Sequence, residues 1–295
     1  MKREPVFQGA ATALVTPLTP EGIDYEKFAA LIEWQISEGI DGLVICGTTG
    51  EGSTLTDEEH RAAIAFAVKT AAGRVPIIAG TGSNDTDYAI DLTKFSSDVG
   101  ADAMLVVTPY YNKATQKGLI KMYQTIADAS AKPVILYNVP SRTGVNIEPE
   151  TYLALADHPQ ITAVKEANGN FSKIAETMAL VGDRLDFYSG NDDQIVPIMS
   201  LGGIGVISVL ANVAPGQTHE ICRKYLDGDV AGSLKEQLRA MELCGALFCE
   251  VNPIPVKKAL ELMGLIDGTL RMPLSEMEPA NVKRLENAMK EYGIL

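Results

Sequence analysis

A short apolar run rich in β-branched residues returns about every 25 to 30 residues, each followed by a segment with helical spacing of its apolar positions. Strands are expected at Ala11–Thr16, Gly42–Cys46, Pro76–Gly80, Ala103–Thr108, Pro133–Asn138, Thr162–Glu166, Leu185–Ser189 and Gly205–Val209. Helices are expected between them, as at Asp24–Glu38, Asp57–Ala72, Thr86–Val99 and Lys117–Ala131. Parallel neighbours need a long crossover, so this alternation implies βαβ units and a parallel sheet. Eight units in about 225 residues fit a closed (β/α)8 barrel better than an open doubly wound sheet. The expected class is therefore α/β, a TIM barrel over residues 1–225.

Start signals agree with that register. Thr56-Asp57-Glu58-Glu59 has the form of a capping box, and Asp24 and Glu148-Pro149 precede further helical segments. Past Gly228 the strand pattern stops. Residues 231–249, 255–263 and 275–292 read as helices, giving a C-terminal helical extension over 226–295.

Composition narrows the partners. A net charge of −13 argues against nucleic acid or an anionic membrane, both of which require basic surface. No apolar run approaches the roughly 18 residues of a membrane span, and Met1-Lys2-Arg3-Glu4-Pro5 has no signal-peptide core. Cys46, Cys222, Cys244 and Cys249 form no CxxC pair and read as packed thiols, so the cytoplasm is the expected location.

A barrel of this kind carries its chemistry at the C-terminal ends of the strands. Polar and glycine-rich strings gather there: Gly47-Thr48-Thr49-Gly50-Glu51, Thr108-Pro109-Tyr110-Tyr111-Asn112, Tyr137 to Gly144, Lys165-Glu166 and Ser189-Gly190-Asn191-Asp192. Lys165 ends an apolar β run, where burial disfavours an ammonium, and a neutral amine can attack a ketone. The plainer alternative is a lysine snorkelling outward or paired with Glu166.

Imine formation needs proton transfer, and the three histidines, His60, His158 and His219, all lie off the strand ends. Hydroxyls must serve: Tyr137 beside strand six, with Thr48 and Tyr111 completing a relay. Tyr137 could equally be a core tyrosine, and Tyr110-Tyr111 interface anchors. The Gly47–Gly50 turn offers hydroxyls and N–H groups to a carboxylate, though a plain strand-to-helix turn has the same look. Arg142, in Pro-Ser-Arg-Thr-Gly, suits bidentate carboxylate binding or else a surface salt bridge. Without a Walker A string, a Gly-x-Gly-x-x-Gly turn or ligand-spaced His and Cys, neither a nucleotide cofactor nor a metal is expected.

Taken in order, GTTGE at 47–51, TPYYN at 108–112, YNVPSRTG at 137–144, VKEA at 164–167 and NPIPVK at 252–257 resemble the dihydrodipicolinate synthase family. That resemblance implies a class I aldolase-type lyase that condenses pyruvate with L-aspartate 4-semialdehyde, at the entry to diaminopimelate and lysine. It also implies a covalent imine on Lys165 with no separate cofactor, and a homotetramer built as a dimer of dimers. Thr48, Tyr111 and Tyr137 would form the relay, with Tyr111 reaching in from a neighbouring subunit. Thr49 would bind the pyruvate carboxylate, Arg142 that of the semialdehyde, and the backbones of Gly190 and Ile207 would line the pocket.

Lysine-inhibited members of that family hold the effector at a subunit interface. Asn84, Tyr110 and His60 fit the pattern, whereas Asp57 stands for a histidine and Tyr88 for the acid that would face the effector's amino group. Weak or absent inhibition is the expectation. Two rivals remain: a lyase of sialic or 2-keto-3-deoxy sugar acids on the same barrel, and a non-catalytic barrel that binds a small acid. Arg142 argues against the first, because polyhydroxylated substrates need hydroxyl partners there, and the set Lys165, Thr48, Tyr111 and Tyr137 argues against the second.

Overall fold

The computed structural model describes residues 4–295, so the first three residues of the Met1–Pro5 string read for a signal-peptide core lie outside the described residues. Eight parallel strands close into a barrel in chain order: β1 (Gly9–Ala13), β2 (Gly42–Ile45), β3 (Ile77–Gly80), β4 (Ala103–Val107), β5 (Val134–Asn138), β6 (Ile161–Glu166), β7 (Asp186–Ser189) and β8 (Gly205–Ser208). The barrel shuts where Gly9 and Gly205 become register partners. Only glycine fits that seam, because a Cβ on Gly205 would lie 1.9 Å from the Gly9 carbonyl oxygen.

The pleat sends alternate residues to two separate cores. Ala11, Val44, Ile78, Leu105, Ile135 and Ala163 fill the barrel interior. Their neighbours Ala10, Leu43, Ile45, Ile77, Leu136 and Val164 pack outward against the helices. Phe7 closes the lower end, its ring stacked on Tyr188 at 4.3 Å and 12°. Helices cover the outside, and among the described residues none is long and apolar enough to cross a membrane.

Helix starts follow the sequence closely. The Thr56 hydroxyl accepts from the Glu59 N–H at 3.2 Å while the Glu59 carboxylate accepts from the Thr56 N–H at 2.9 Å, a complete capping box. Asp24 caps the helix Tyr25–Ser37 through the Lys27 N–H.

Three boundaries differ from expectation. The first strand runs over Gly9–Ala13 instead of Ala11–Thr16, because the Val15 N–H is taken by the Asn212 side chain at 3.0 Å and leaves the ladder. A small antiparallel hairpin, Leu18–Thr19 with Gly22–Ile23, follows it. Residues 231–249 form two helices, Val230–Arg239 and Met241–Leu247, with Ala240 donating to both the Glu236 and Gln237 carbonyls at the join. The last helix begins at Pro279, whose missing N–H suits a first turn, and runs to Tyr292. With Ile254–Leu262 these form the C-terminal helices, so the chain is a (β/α)8 barrel with helices appended after the eighth unit.

Candidate active site

On β6, Ala163 faces the barrel interior and Val164 the helices, so the two-residue period turns Lys165 inward. It is only 6% exposed. Its register partner on β5 is Tyr137, and the Lys165 Nζ lies 4.3 Å from the centroid of the Tyr137 ring. That disposes of an outward-snorkelling lysine.

Glu166 faces the opposite way and does not pair with it. Its carboxylate accepts from the Asn138 amide at 3.0 and 3.2 Å, from the Tyr152 hydroxyl at 2.9 Å and from the Asn168 N–H at 2.8 Å. Burial outweighs those donors and pushes the carboxyl up to about 7.

On the other flank, Asp192 follows β7. It accepts from the Ser208 hydroxyl at 2.5 Å and from the Val209 and Leu210 N–H groups at 3.0 and 2.9 Å. Desolvation raises its pKa, while these donors and the charge of Lys165 act in the other direction. An acidic group thus sits close enough to feel the amine.

Above the strand ends opens a cavity of about 580 Å³, with Gly47, Thr48, Tyr110, Tyr137, Arg142 and His60 in its wall. The turn after β2 builds one side. It closes through Glu51 N–H to Thr48 O at 3.1 Å and Gly52 N–H to Gly47 O at 3.2 Å. Gly52 admits no side chain, because a Cβ would lie 2.2 Å from the Cys46 carbonyl oxygen. Thr48 is exposed toward the cavity, whereas Thr49 is buried.

Thr49 accepts from the Asn252 side-chain amide at 3.0 Å, and the Asn252 carbonyl accepts from Arg142 Nη2 at 3.3 Å. One residue of the C-terminal region therefore joins the two expected carboxylate sites. Among the described residues Arg142 has no carboxylate partner, so its charge is not spent in a surface ion pair. In a chain of net charge −13 this supplies local positive potential for an anion.

Gly190 donates to the Glu166 carbonyl at 2.7 Å and is held to glycine by Ala167, whose Cβ would lie 2.8 Å from an added one. Ile207 is fully buried in the interior core. Tyr111 is not brought in with the others: it is 91% exposed, at φ +72°, and lies outside the cavity wall. Of the expected effector residues, His60 and Tyr110 line the cavity, and the Asn84 amide donates to the Tyr110 carbonyl at 3.2 Å. His60 is buried, bonded through Nε2 to the Gly80 carbonyl at 2.8 Å, and its pKa is lowered by desolvation. The Asp57 carboxylate accepts from Arg61 Nε at 2.9 and 2.8 Å, and the Tyr88 hydroxyl is pushed up to about 12, by burial first and by Asp57 second.

Three contributors escaped the sequence reading as site residues: Asp192, Asn252 and the buried pair Glu51–Lys257. Each lay inside a string already singled out. Nothing local shows that Thr49 touches Asn252 or Glu51 touches Lys257, each pair some 200 residues apart.

Comparison with known proteins gives concordant results. The model of the dihydrodipicolinate synthetase family matches residues 6–292. The 4-hydroxy-tetrahydrodipicolinate synthase of Lachnoclostridium phytofermentans is 55% identical over 292 residues, covering 98% of this chain and 99% of the relative. Among solved structures, the dihydrodipicolinate synthase of Thermotoga maritima superposes with a TM-score of 0.97 at 40% identity, covering 99% of this chain and all of the other. A chloride-inhibited dihydrodipicolinate synthase of Acinetobacter baumannii, solved with pyruvate, gives 0.95 at 44% identity, covering 98% and 99%. Agreement in sequence, barrel and length runs from end to end, and the chain belongs to the dihydrodipicolinate synthetase family.

Proposed function

We propose that this chain is a 4-hydroxy-tetrahydrodipicolinate synthase, a lyase of the class I aldolase type that joins pyruvate to L-aspartate 4-semialdehyde for diaminopimelate and lysine synthesis. The observation that carries the reading is the inward, 6% exposed Lys165 with its amine against Tyr137. Full-length relatives bearing that enzyme name support it.

In this reading the neutral Lys165 amine attacks C2 of pyruvate, and the carbinolamine loses its hydroxyl as water after protonation. Tyr137, whose ring the amine faces, serves as the proton carrier in this reading, with Thr48 in the same cavity wall. Loss of a proton from C3 turns the iminium into an enamine. Its carbon attacks the aldehyde carbon of the second substrate, whose oxygen takes up a proton. The substrate's own amino group then displaces Lys165 from C2, closing the ring and freeing the amine. No separate cofactor is needed, since the imine carbon is polarised by the protein's own nitrogen.

Thr49 holds the pyruvate carboxylate, Arg142 that of the semialdehyde, and the backbones of Gly190 and Ile207 line the pocket. The exposed Tyr111 completes the proton relay from a second copy, and the assembly in this reading is the homotetramer, a dimer of dimers, that the family resemblance implies. The enzyme works in the cytoplasm. Trapping with pyruvate and borohydride, mapping the adduct and then assaying aldehyde acceptors tests the whole reading. The expected result is an adduct on Lys165 with turnover on aspartate semialdehyde; an adduct elsewhere, or turnover only with sugar aldehydes, rejects it.

A further inference from the structure

The Gly47–Gly50 turn is held by chain that arrives 200 residues later. Glu51, which closes the turn through its N–H to Thr48 O at 3.1 Å, adopts φ +54°, a left-handed conformation that a side chain of this size adopts only when its surroundings demand it. Its carboxylate meets Lys257 Nζ at 2.5 Å, and both side chains are out of solvent, at 1% and 0% exposure. The second carboxylate oxygen accepts from the Arg271 N–H at 3.1 Å. Arg271 continues along the same segment, donating to Thr54 O at 3.0 Å and to both oxygens of Glu59.

A fully buried ion pair is a poor device for stability, since desolvating two charges offsets most of their attraction and an apolar pair of the same volume does as well. Desolvation is the largest influence on Lys257, lowering its pKa against the pull of Glu51. What such a pair supplies is direction. It fixes one carboxylate against one ammonium, and here the carboxylate belongs to the residue whose backbone shapes the turn that carries Thr48 and Thr49.

We propose that Lys257 is a positioning residue: through Glu51 it sets the Gly47–Gly50 turn, and hence the Thr49 hydroxyl, at the height where it meets the carboxylate of the Lys165-bound substrate, with the relay hydroxyl of Thr48 carried on the same turn. The C-terminal helices are then a working part of the pyruvate site. This rests on the assignment of Thr49 to the pyruvate carboxylate. It makes no claim on Arg142, whose contact with the Asn252 carbonyl lies outside the ion pair.

The test compares three variants of the full-length enzyme by borohydride trapping across a range of pyruvate concentrations. Glu51→Gln combined with Lys257→Met removes both charges together, so no unpaired ion is left buried. It is expected to keep the urea midpoint of the parent, to raise the pyruvate concentration for half-trapping about tenfold, and to leave the semialdehyde KM within about threefold. Glu51→Asp keeps the ion pair but draws the turn one methylene toward Lys257, and the same pyruvate shift is expected even if the double variant does not fold. Thr49→Val is the reference. Half-trapping that moves in Thr49→Val but stays at the parental value in the folded Glu51 variants overturns the positioning role alone. An unmoved Thr49→Val overturns the carboxylate assignment beneath it. A parallel loss for both substrates, tracking a lower urea midpoint, reduces the pair to a structural one and also overturns the proposal.

Discussion

Asn138 and Glu166 are register partners on neighbouring strands, and the amide of the first donates to both carboxylate oxygens of the second at 3.0 and 3.2 Å. One residue back on each strand, Tyr137 and Lys165 make the corresponding pair on the interior face. The pleat thus places a polar cluster behind the reactive one, and the amine is held on a strand pinned from its other side.

That rear cluster gives a pH dependence. Burial lifts the Glu166 carboxyl from the ordinary 4.5 to about 7, so the folded state binds this proton more tightly than the unfolded chain does. The contribution is fully present below about pH 4.5 and is lost as pH rises through about 7, by about 3 kcal/mol at most. In Glu166→Gln this fall is expected to disappear. Urea unfolding of both proteins from pH 4.5 to 8 checks it, and the difference between them removes the other groups that titrate there. Parallel curves would falsify the raised carboxyl.

Lys165→Ala is expected to abolish the borohydride-trapped pyruvate adduct while the barrel stays folded, because the side chain ends among interior residues that pack without it. Tyr137→Phe keeps the ring and removes only the hydroxyl. Adduct formation is then expected to survive but slow by about 10² to 10⁴, the usual worth of general acid–base help. Stopped trapping reactions give both numbers. An undiminished rate in Tyr137→Phe would remove Tyr137 from the proton path.

Arg142→Ala is expected to spare the pyruvate adduct and weaken only the second substrate. The lost charged hydrogen bond is worth about 1.5–3 kcal/mol, roughly a 10- to 150-fold rise in semialdehyde KM. Unchanged semialdehyde kinetics would mean the guanidinium serves its contact with Asn252 and nothing else.

Inhibition by lysine is expected to be weak or absent. The carboxylate in the wall of the cavity above the strand ends, Asp57, is already engaged by Arg61. An incoming ammonium would have to break that arrangement to gain a partner. Steady-state assays with free lysine settle it, and half-inhibition below a millimolar concentration is the contrary result.

The barrel was legible because each strand announces itself locally. Val134–Asn138 and Ile161–Glu166 are apolar runs bounded by turn residues, and their pairing follows from chain order once the sheet is parallel. Lys165, Tyr137, Thr48 and Arg142 were legible because they sit at the ends of such runs. Where strand one stops was not, since that depends on Asn212, which takes the Val15 N–H from far down the chain. The same blindness hid Asn252 against Thr49 and Lys257 against Glu51. Tyr111 reads as a relay hydroxyl from its place at the end of strand four, yet this chain by itself turns it outward, and only the resemblance implies that it reaches in from a neighbouring subunit.

The residues that hold the Gly47–Gly50 turn are made some 200 residues after it. A chain ending after β8 would hold both sides of the Gly9–Gly205 seam, yet Thr49 and Glu51 would lack the asparagine and lysine that hold them. The final shape of the rim of the barrel around Thr49 and Glu51 therefore waits on the segment that carries both of these partners.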